Sequence, residues 1–226
     1  MKKTSSIILL PMTALILSGC FSSYKSISSD EFKEFLTTAQ SEVAVDSDKI
    51  DNVSMSTYLG VESYNYKKGE FYRYNYFLFA LLIVVSQQEC TWKEDGKYYY
   101  YSYSSVTQKT VDQEITEEEF NTKMAAHRAK ISSKLSEPYV TSLAYIEAPV
   151  EGTDVKYSKS STHYRLIASR KDASSSDSSK TVTYTTTITF KNNLPEKWEN
   201  KGEGKSYTQY SFGDAEFHNP HDNTEE

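Results

Sequence analysis

Histidine is the side chain that most often serves as a base or a metal ligand near neutral pH, and the chain has four. His127 falls on the apolar stripe of a predicted helix, which favours a core histidine over a catalytic base. His163 falls on a predicted strand with no acidic or nucleophilic neighbour in the sequence. His218 and His221 flank Pro220, which disfavours a helix that would aim both rings at one metal ion. A solvated tail is therefore favoured there over a metal site.

No motif of a common enzyme class accompanies these histidines. The chain has no Gly-x-Ser-x-Gly elbow, His-Glu-x-x-His motif, P-loop or glycine-rich dinucleotide turn. The run Glu117-Glu118-Glu119 would supply an acid and a base, but acids in the first turn of a helix are explained by the helix dipole. We therefore expect a protein that is not an enzyme and that uses no cofactor and no metal.

The first cysteine of the chain stands in a context suited to covalent lipid attachment. Lys2 and Lys3 precede an apolar run from Ile7 to Leu17. A helix needs about 20 residues to cross a bilayer, so this run matches the apolar region of a signal peptide instead. It ends in Leu17-Ser18-Gly19-Cys20, where two small residues precede a thiol that can form a thioether.

This ending resembles the lipobox of bacterial lipoproteins. The resemblance implies cleavage between Gly19 and Cys20, a diacylglyceryl group on Cys20, and acylation of the new amino terminus by a fatty acid such as palmitate. Several acyl chains anchor a protein stably. We expect a signal peptide over 1–19, an acylated cysteine and short tether over 20–28, and the membrane as a partner. The expected location is the extracytoplasmic face of the cell membrane or outer membrane.

The charge of the chain and its second cysteine limit other roles. The formal net charge is −6, and removal of residues 1–19 takes away two lysines and no acid, which makes it −8. Nucleic acid is not expected as a partner, because phosphate binding needs clustered lysine and arginine. With Cys20 assigned to lipid, Cys90 has no disulfide partner, and without a cationic neighbour in the sequence it is interpreted as a packed small residue.

Tyrosine is abundant, with 19 residues, and three of them follow one another at a period of two. Tyr72, Tyr74 and Tyr76 therefore share one face of a predicted strand. Three interpretations remain open. The rings cover a half-buried face; or they line the mouth of an apolar cavity that Leu78 and Leu82 continue; or they form a stacking platform for a glycan.

Helices are predicted at two places. Ser28 and Glu31 have the spacing of a capping box, and apolar residues at helical intervals follow over 29–43. Thr116 and Glu119 repeat that spacing, which predicts a helix over 116–136 that ends before Pro138. The stretch 139–147 is ambiguous between helix and strand.

Most of the remaining chain has the period of strands. The apolar run 77–85 is too short to span a membrane as a helix and is interpreted as a strand buried on both faces. Glu94-Asp95-Gly96 is a hairpin turn signal. Further strands are predicted over 153–159, 162–171 and 181–190, and a polar loop over 172–179. A single domain over 29–217 and a flexible acidic tail over 218–226 complete the prediction.

The final strands suggest a family. Phe190-Lys191-Asn192-Asn193-Leu194-Pro195, a polar strand and Tyr207 to Gly213 resemble the C-terminal strands of the LolA/LppX-type lipoprotein and lipid carriers, and Pro220 stands where their last proline falls. The resemblance implies an α+β fold in which a curved antiparallel sheet, an incomplete β-barrel, holds helices on its concave side.

Two functions are compatible with these patterns. The first is a membrane-anchored, non-enzymatic binder or carrier of a hydrophobic or amphiphilic ligand such as a lipid. The second is a structural or adhesive module of the cell envelope that contacts glycan or a partner protein through its tyrosine-rich strands. The change from tyrosine to aliphatic residues between Tyr72 and Val84 favours the first.

Overall fold

The computed structural model describes residues 23–79, 83–213 and 215–222. Two α-helices form there, α1 (Ser29–Ala39) and α2 (Glu117–Glu147), and α1 tightens at its end into a 3-10 helix over Gln40–Val43. A second 3-10 helix covers Asp48–Ile50. The strands are β1 (Lys25–Ser26), β2 (Asn52–Thr57), β3 (Gly60–Asn65), β4 (Glu70–Phe79), β5 (Ile83–Glu94), β6 (Lys97–Ser104), β7 (Lys109–Ile115), β8 (Asp154–Lys159), β9 (His163–Ala173), β10 (Thr181–Lys191), β11 (Leu194–Lys201) and β12 (Lys205–Phe212).

All described strands belong to one antiparallel sheet in the order β1-β8-β9-β10-β11-β12-β2-β3-β4-β5-β6-β7. The pairing of β12 with β2 joins the C-terminal strands to the strands that follow α1, in the middle of the sheet. Within the described residues β1 and β7 are the two edges, so the sheet is open. The predicted α+β class and the open antiparallel sheet are confirmed.

One face of the sheet carries the larger of the two hydrophobic clusters, and both helices pack on it; we call it the helix face. Phe32 and Phe35 of α1 lie against aromatic rings of β8, β9 and β10, with the ring centroids of Phe35 and Tyr164 3.8 Å apart. Phe71 of β4 stacks on His127 of α2 at 3.6 Å. The cross-strand registers place Phe71 and Tyr164 on the same side of the sheet. The opposite side is called the far face.

The second helix is longer than the sequence predicts. It was expected to end before Pro138, but Pro138 lies inside it and the ambiguous stretch 139–147 is helical. A proline in a helix interior costs about 3 kcal/mol. The packing of Tyr139 offsets this cost, because its ring is fully buried 4.8 Å from that of Phe190 and its hydroxyl donates to the carbonyl oxygen of Asn193 at 2.6 Å.

The apolar run 77–85 is not one strand buried on both faces, and that prediction was wrong. It is the end of a hairpin, in which β4 stops at Phe79, β5 starts at Ile83 and these two residues are paired. Phe77 is 39% exposed and Val84 is 59% exposed. In the sequence, the alternation of tyrosine with polar residues stops where the continuous apolar run begins. The apolar run therefore gave no sign of where β4 ends and β5 begins.

The first described strand, β1, pairs at the edge of the sheet. Part of the predicted tether forms β1, whose Lys25 and Ser26 pair with Lys159 and Ser158 at the sheet edge. Neither α1 nor α2 contains an apolar stretch long enough to cross a membrane.

Candidate functional site

The predicted tyrosine row lies on the far face. Tyr72, Tyr74 and Tyr76 alternate along β4 with Phe71 and Arg73, which point to the helix face. Tyr72 is 8% exposed, whereas Tyr74 and Tyr76 are half-buried. The row therefore faces away from both helices.

The neighbouring strands add rings that the sequence analysis did not assign to a site. Trp92 of β5 lies directly opposite Tyr99 of β6, with ring centroids 5.2 Å apart and nearly parallel planes. Tyr101 lies opposite Cys90, which in turn lies opposite Tyr72. We call this set the aromatic band; its members are Tyr72, Tyr74, Tyr76, Trp92, Tyr99 and Tyr101. The tyrosine-rich run from Tyr98 to Tyr103 is visible in the sequence, but four consecutive tyrosines have no period of two. Only the β5–β6 register assigns Tyr99 and Tyr101 to the same face as the row on β4.

The thiol of Cys90 is buried within the aromatic band. Cys90 is fully buried between Tyr72 and Tyr101 and receives a hydrogen bond from the side-chain amide of Gln88, with Nε2 and Sγ 3.7 Å apart. Burial raises the pKa of the Cys90 thiol to about 12. The prediction that Cys90 is a packed small residue is confirmed, and the same burial raises the pKa of Tyr72 and Tyr101.

The end of the chain crosses one part of the aromatic band. The His218 ring meets the edge of Tyr72 at 4.9 Å, and the His221 ring meets Trp92 at 5.0 Å. His221 Nε2 lies 3.0 Å from an oxygen of Asp112 on β7. The flexible tail was predicted to start at residue 218; its described part, residues 218–222, contacts the sheet through these side chains. Tyr74, Tyr76 and Tyr101 make none of the ring contacts that this segment forms.

Of the other predicted site residues, Tyr76 and Leu78 lie on β4 and the rest lie outside the described residues. The Tyr76 hydroxyl donates to the carbonyl oxygen of Tyr58 at 2.7 Å, which fixes its ring at the β2–β3 turn. Leu78 belongs to β4 next to the hairpin end. Gly19, Cys20 and Leu82 lie outside the described residues.

The helix face offers charged clefts. A cleft of about 230 Å³ beside α2 is lined by Glu62, Lys134 and Glu137. Glu62 is 5% exposed, accepts from Lys134, and has Lys130 3.6 Å away. Charged linings of this kind do not suit an acyl chain.

The histidine of α2 is a core residue, as predicted. His127 is 8% exposed and stacked on Phe71, and its Nε2 lies 3.4 Å from the Thr91 hydroxyl. Burial, reinforced by nearby lysines, lowers the His127 pKa to about 3, so the ring is neutral at pH 7. In the part of the chain that the structure describes, no three His, Cys, Asp or Glu side chains gather to hold a metal ion.

Comparison with known proteins adds no family: no family's sequence model matches this chain, and no curated protein matches it significantly.

Proposed function

We propose that this chain is a lipid-anchored, non-enzymatic binding protein of the bacterial cell envelope, and that the aromatic band is its contact surface. The observation that carries the contact surface is the position of the band on the far face, opposite both helices. Tyr72 and Trp92 form a small buried cluster with Cys90 on this face. Tyr74, Tyr76, Tyr99 and Tyr101 instead keep part of their surface in solvent.

A glycan is the ligand class that this surface suits best. Sugar rings present apolar C–H faces that stack on aromatic rings, and tyrosines two residues apart on a strand repeat every 6 to 7 Å, roughly. Carboxylates accept hydrogen bonds from hydroxyl groups. Asp112 and Glu114 lie opposite Tyr101 and Tyr99 on β7 and would supply such acceptors at the edge of the aromatic band.

The contact surface is tested with Tyr74→Ala combined with Tyr101→Ala, since both side chains are half-buried and make none of the ring contacts of the C-terminal segment. The control is Tyr58→Ala with Tyr66→Ala, two tyrosines that are 49% and 47% exposed and lie outside the band. Binding to a glycan array and to isolated cell-wall material is measured. We expect the band variant to lose at least about tenfold in affinity and the control to keep it. Equal binding by both variants would reject the aromatic band as the contact surface.

The lipid anchor is tested separately at Cys20. The intact mass of the protein purified from bacterial membranes should exceed that of residues 20–226 by a diacylglyceryl group or more, and Cys20→Ser should abolish the increase. An unmodified mass would reject the lipid anchor but would not bear on the proposal that the aromatic band is the contact surface.

A second candidate is a carrier of an amphiphilic ligand, in which the sheet curves around helices on its concave side. Phe77 on the helix face and Val84 on the far face are exposed at the end of the β4–β5 hairpin, and they favour it because an acyl chain that passed over this end would bury apolar surface on both. Native mass spectrometry of the delipidated protein with added phospholipid tests it. A retained lipid that is lost in Phe77→Ser with Val84→Ser supports the carrier, and absence of a complex rejects it.

A further inference from the structure

Charge is distributed unequally over the far face. Along β8 to β12 the registers place seven cationic side chains on it against three carboxylates, Asp154, Glu196 and Glu199. The cationic residues are Lys156, Arg165, Lys171, Lys191, Lys197, Lys201 and Lys205. A chain with a formal net charge of −6 thus has one strongly basic surface.

Three of these lysines converge on one carboxylate. Lys197, Lys201 and Lys205 place Nζ 3.1, 2.8 and 3.1 Å from the oxygens of Glu199. Lys201 and Lys205 are directly opposite each other on β11 and β12, an arrangement of like charges that destabilises a sheet by itself. Glu199 holds them together but neutralises only one of three charges. The three side chains remain 42%, 59% and 57% exposed. The site therefore keeps a local excess of positive charge that faces solvent.

The chain leaves toward Cys20 from this surface. The Tyr24 ring lies on the far face of β9, 3.8 Å from the Arg165 guanidinium and 6.4 Å from the His163 ring. Four residues separate Tyr24 from Cys20 in the sequence, and four residues of extended chain span at most about 14 Å. An acyl group on Cys20 would bring a bilayer close to the basic surface.

From these observations we propose that the basic surface of β8–β12 docks on anionic phospholipid headgroups of the membrane that holds the Cys20 lipid. This inference rests on the proposed anchor. Lysines close to an anionic leaflet each raise binding about fivefold at physiological ionic strength. The basic surface thereby orients the domain, in addition to the attachment that the acyl chains provide.

The same orientation leaves the aromatic band accessible. Six pairings separate β10 from β5, which is about 29 Å at the spacing of neighbouring strands. Neighbouring strands are rotated by roughly 20° on average, so six pairings are expected to turn the far face by roughly 120° between the two strands. The basic surface and the aromatic band therefore point in different directions.

Vesicle co-sedimentation tests the proposal in residues 20–226, the mature chain that the proposed anchor implies, carrying Cys20→Ser, so that neither the apolar run 7–17 nor an acyl chain contributes. The probes are vesicles of phosphatidylcholine alone and of phosphatidylcholine with 30% phosphatidylglycerol, at roughly 50 and 300 mM NaCl. The test variant is Lys197→Gln/Lys201→Gln/Lys205→Gln. A second variant, Lys156→Gln/Lys171→Gln, leaves Glu199 paired and guards against a folding defect. The matched control, Lys68→Gln/Lys93→Gln/Lys109→Gln, removes three exposed lysines outside the basic surface.

We expect preferential binding to the anionic vesicles that weakens at high salt, a loss of at least about tenfold in the triple variant, and a smaller loss in the double variant. The control should lose less than about twofold. Equal binding to both kinds of vesicle, or equal losses in test and control variants, would overturn the proposal. A missing acyl group on Cys20 would reject the anchor instead, so the two failures are distinguishable.

The wild-type acylated protein provides an independent readout. On anionic vesicles, amine-reactive labelling should be reduced at Lys197, Lys201 and Lys205 relative to Lys68 and Lys109. Uniform labelling of all five would contradict the docked orientation.

Discussion

Glu199 stabilises three lysines on neighbouring strands while itself being only 8% exposed. Hydrogen bonds from these lysines lower its pKa to about 2. Since the folded-state pKa lies below the ordinary value of 4.5, the stabilisation is present above pH 4.5 and is lost as the pH falls toward 2. Glu199→Gln should lower the free energy of unfolding by about 1 kcal/mol at pH 7, because Lys201 and Lys205 then repel each other.

Urea denaturation at pH 7 and at pH 3 measures this change. The difference between wild type and Glu199→Gln should shrink at the lower pH. The control is Glu147→Gln, whose carboxylate is 56% exposed and pairs with Lys33 alone; it should shift the midpoint little. A difference that grows on acidification would contradict the sign of the linkage.

His127 is the opposite case to the charged Glu199, because burial keeps this base neutral in the folded protein. Its pKa is about 3 in the folded protein and 6.5 ordinarily, so between these pH values only the unfolded chain takes up the proton. As the pH is lowered through that interval, the contribution of His127 to the free energy of unfolding falls by about 1.4 kcal/mol per pH unit. His127→Gln should be less stable at pH 7.5, where it loses the stacking on Phe71, but should show a flatter pH profile.

Thermal unfolding between pH 7.5 and 4 checks the profile of His127→Gln. Met124→Leu is the control, because it changes another buried side chain of α2 that carries no titratable proton and should leave the wild-type slope. If both variants keep that slope, the buried His127 is not its source.

For individual residues, the spacing of apolar side chains and the local composition were sufficient to predict some of the environments. An apolar stripe identified His127 as a core residue, and the lack of cationic neighbours identified Cys90 as packing. Alternation also showed that Tyr72 and Tyr74 share a face. It could not show that this face lies opposite the helices, because both faces of a strand can be half-buried and only the register with β3 and β5 decides.

Among the elements, the hairpin of β3 and β4 depends on a close approach that only glycine allows. A Cβ added to Gly60 would lie 2.2 Å from the carbonyl oxygen of Tyr74 and 2.8 Å from the Cα of Asn75, both backbone atoms. Backbone atoms in a paired strand cannot move without breaking the ladder. Gly60→Ala should therefore lower the free energy of unfolding by about 2 kcal/mol or more.

The matched substitution is Gly204→Ala, since a Cβ at Gly204 meets nothing within 4 Å. Chemical denaturation of both variants gives the comparison, and glycan binding by Gly60→Ala should fall as well because Tyr74 belongs to the aromatic band. Equal stability of the two variants would show that the strands can separate at Gly60 without cost.

Element boundaries were predictable where local chemistry fixes them. The Thr116–Glu119 capping box begins α2, and Asp95 with Gly96 makes the β5–β6 turn with positive φ angles of 48° and 78°. Tertiary contacts decided the others. Pro138 would end an isolated helix, but the burial of Tyr139 carries α2 onward to Glu147.

For the whole molecule, Tyr24 and the segment with His218 and His221, near the two limits of the described chain, lie on different parts of the same sheet face. Tyr24 leads from the basic surface toward Cys20, whereas His218 and His221 lie on the aromatic band, beside the acidic side chain of Asp112. The net charge does not show this separation, because the total of −6 is the sum over basic and acidic regions. The registers of twelve strands, which no local pattern specifies, separate the two.

The C-terminal segment should shield Trp92 without supporting the sheet. Trp92 is 2% exposed, and Phe217 and His221 lie over it at 6.0 and 5.0 Å between ring centroids. In a Trp198→Phe background, where Trp92 is the remaining tryptophan, Phe217→Ala with His221→Ala should raise acrylamide quenching at least about twofold. The free energy of unfolding should change by less than about 1 kcal/mol, because these residues belong to no strand. Unchanged quenching would mean that neighbouring strands, rather than the chain end, bury Trp92, and the aromatic band would then be open to a ligand along its whole length.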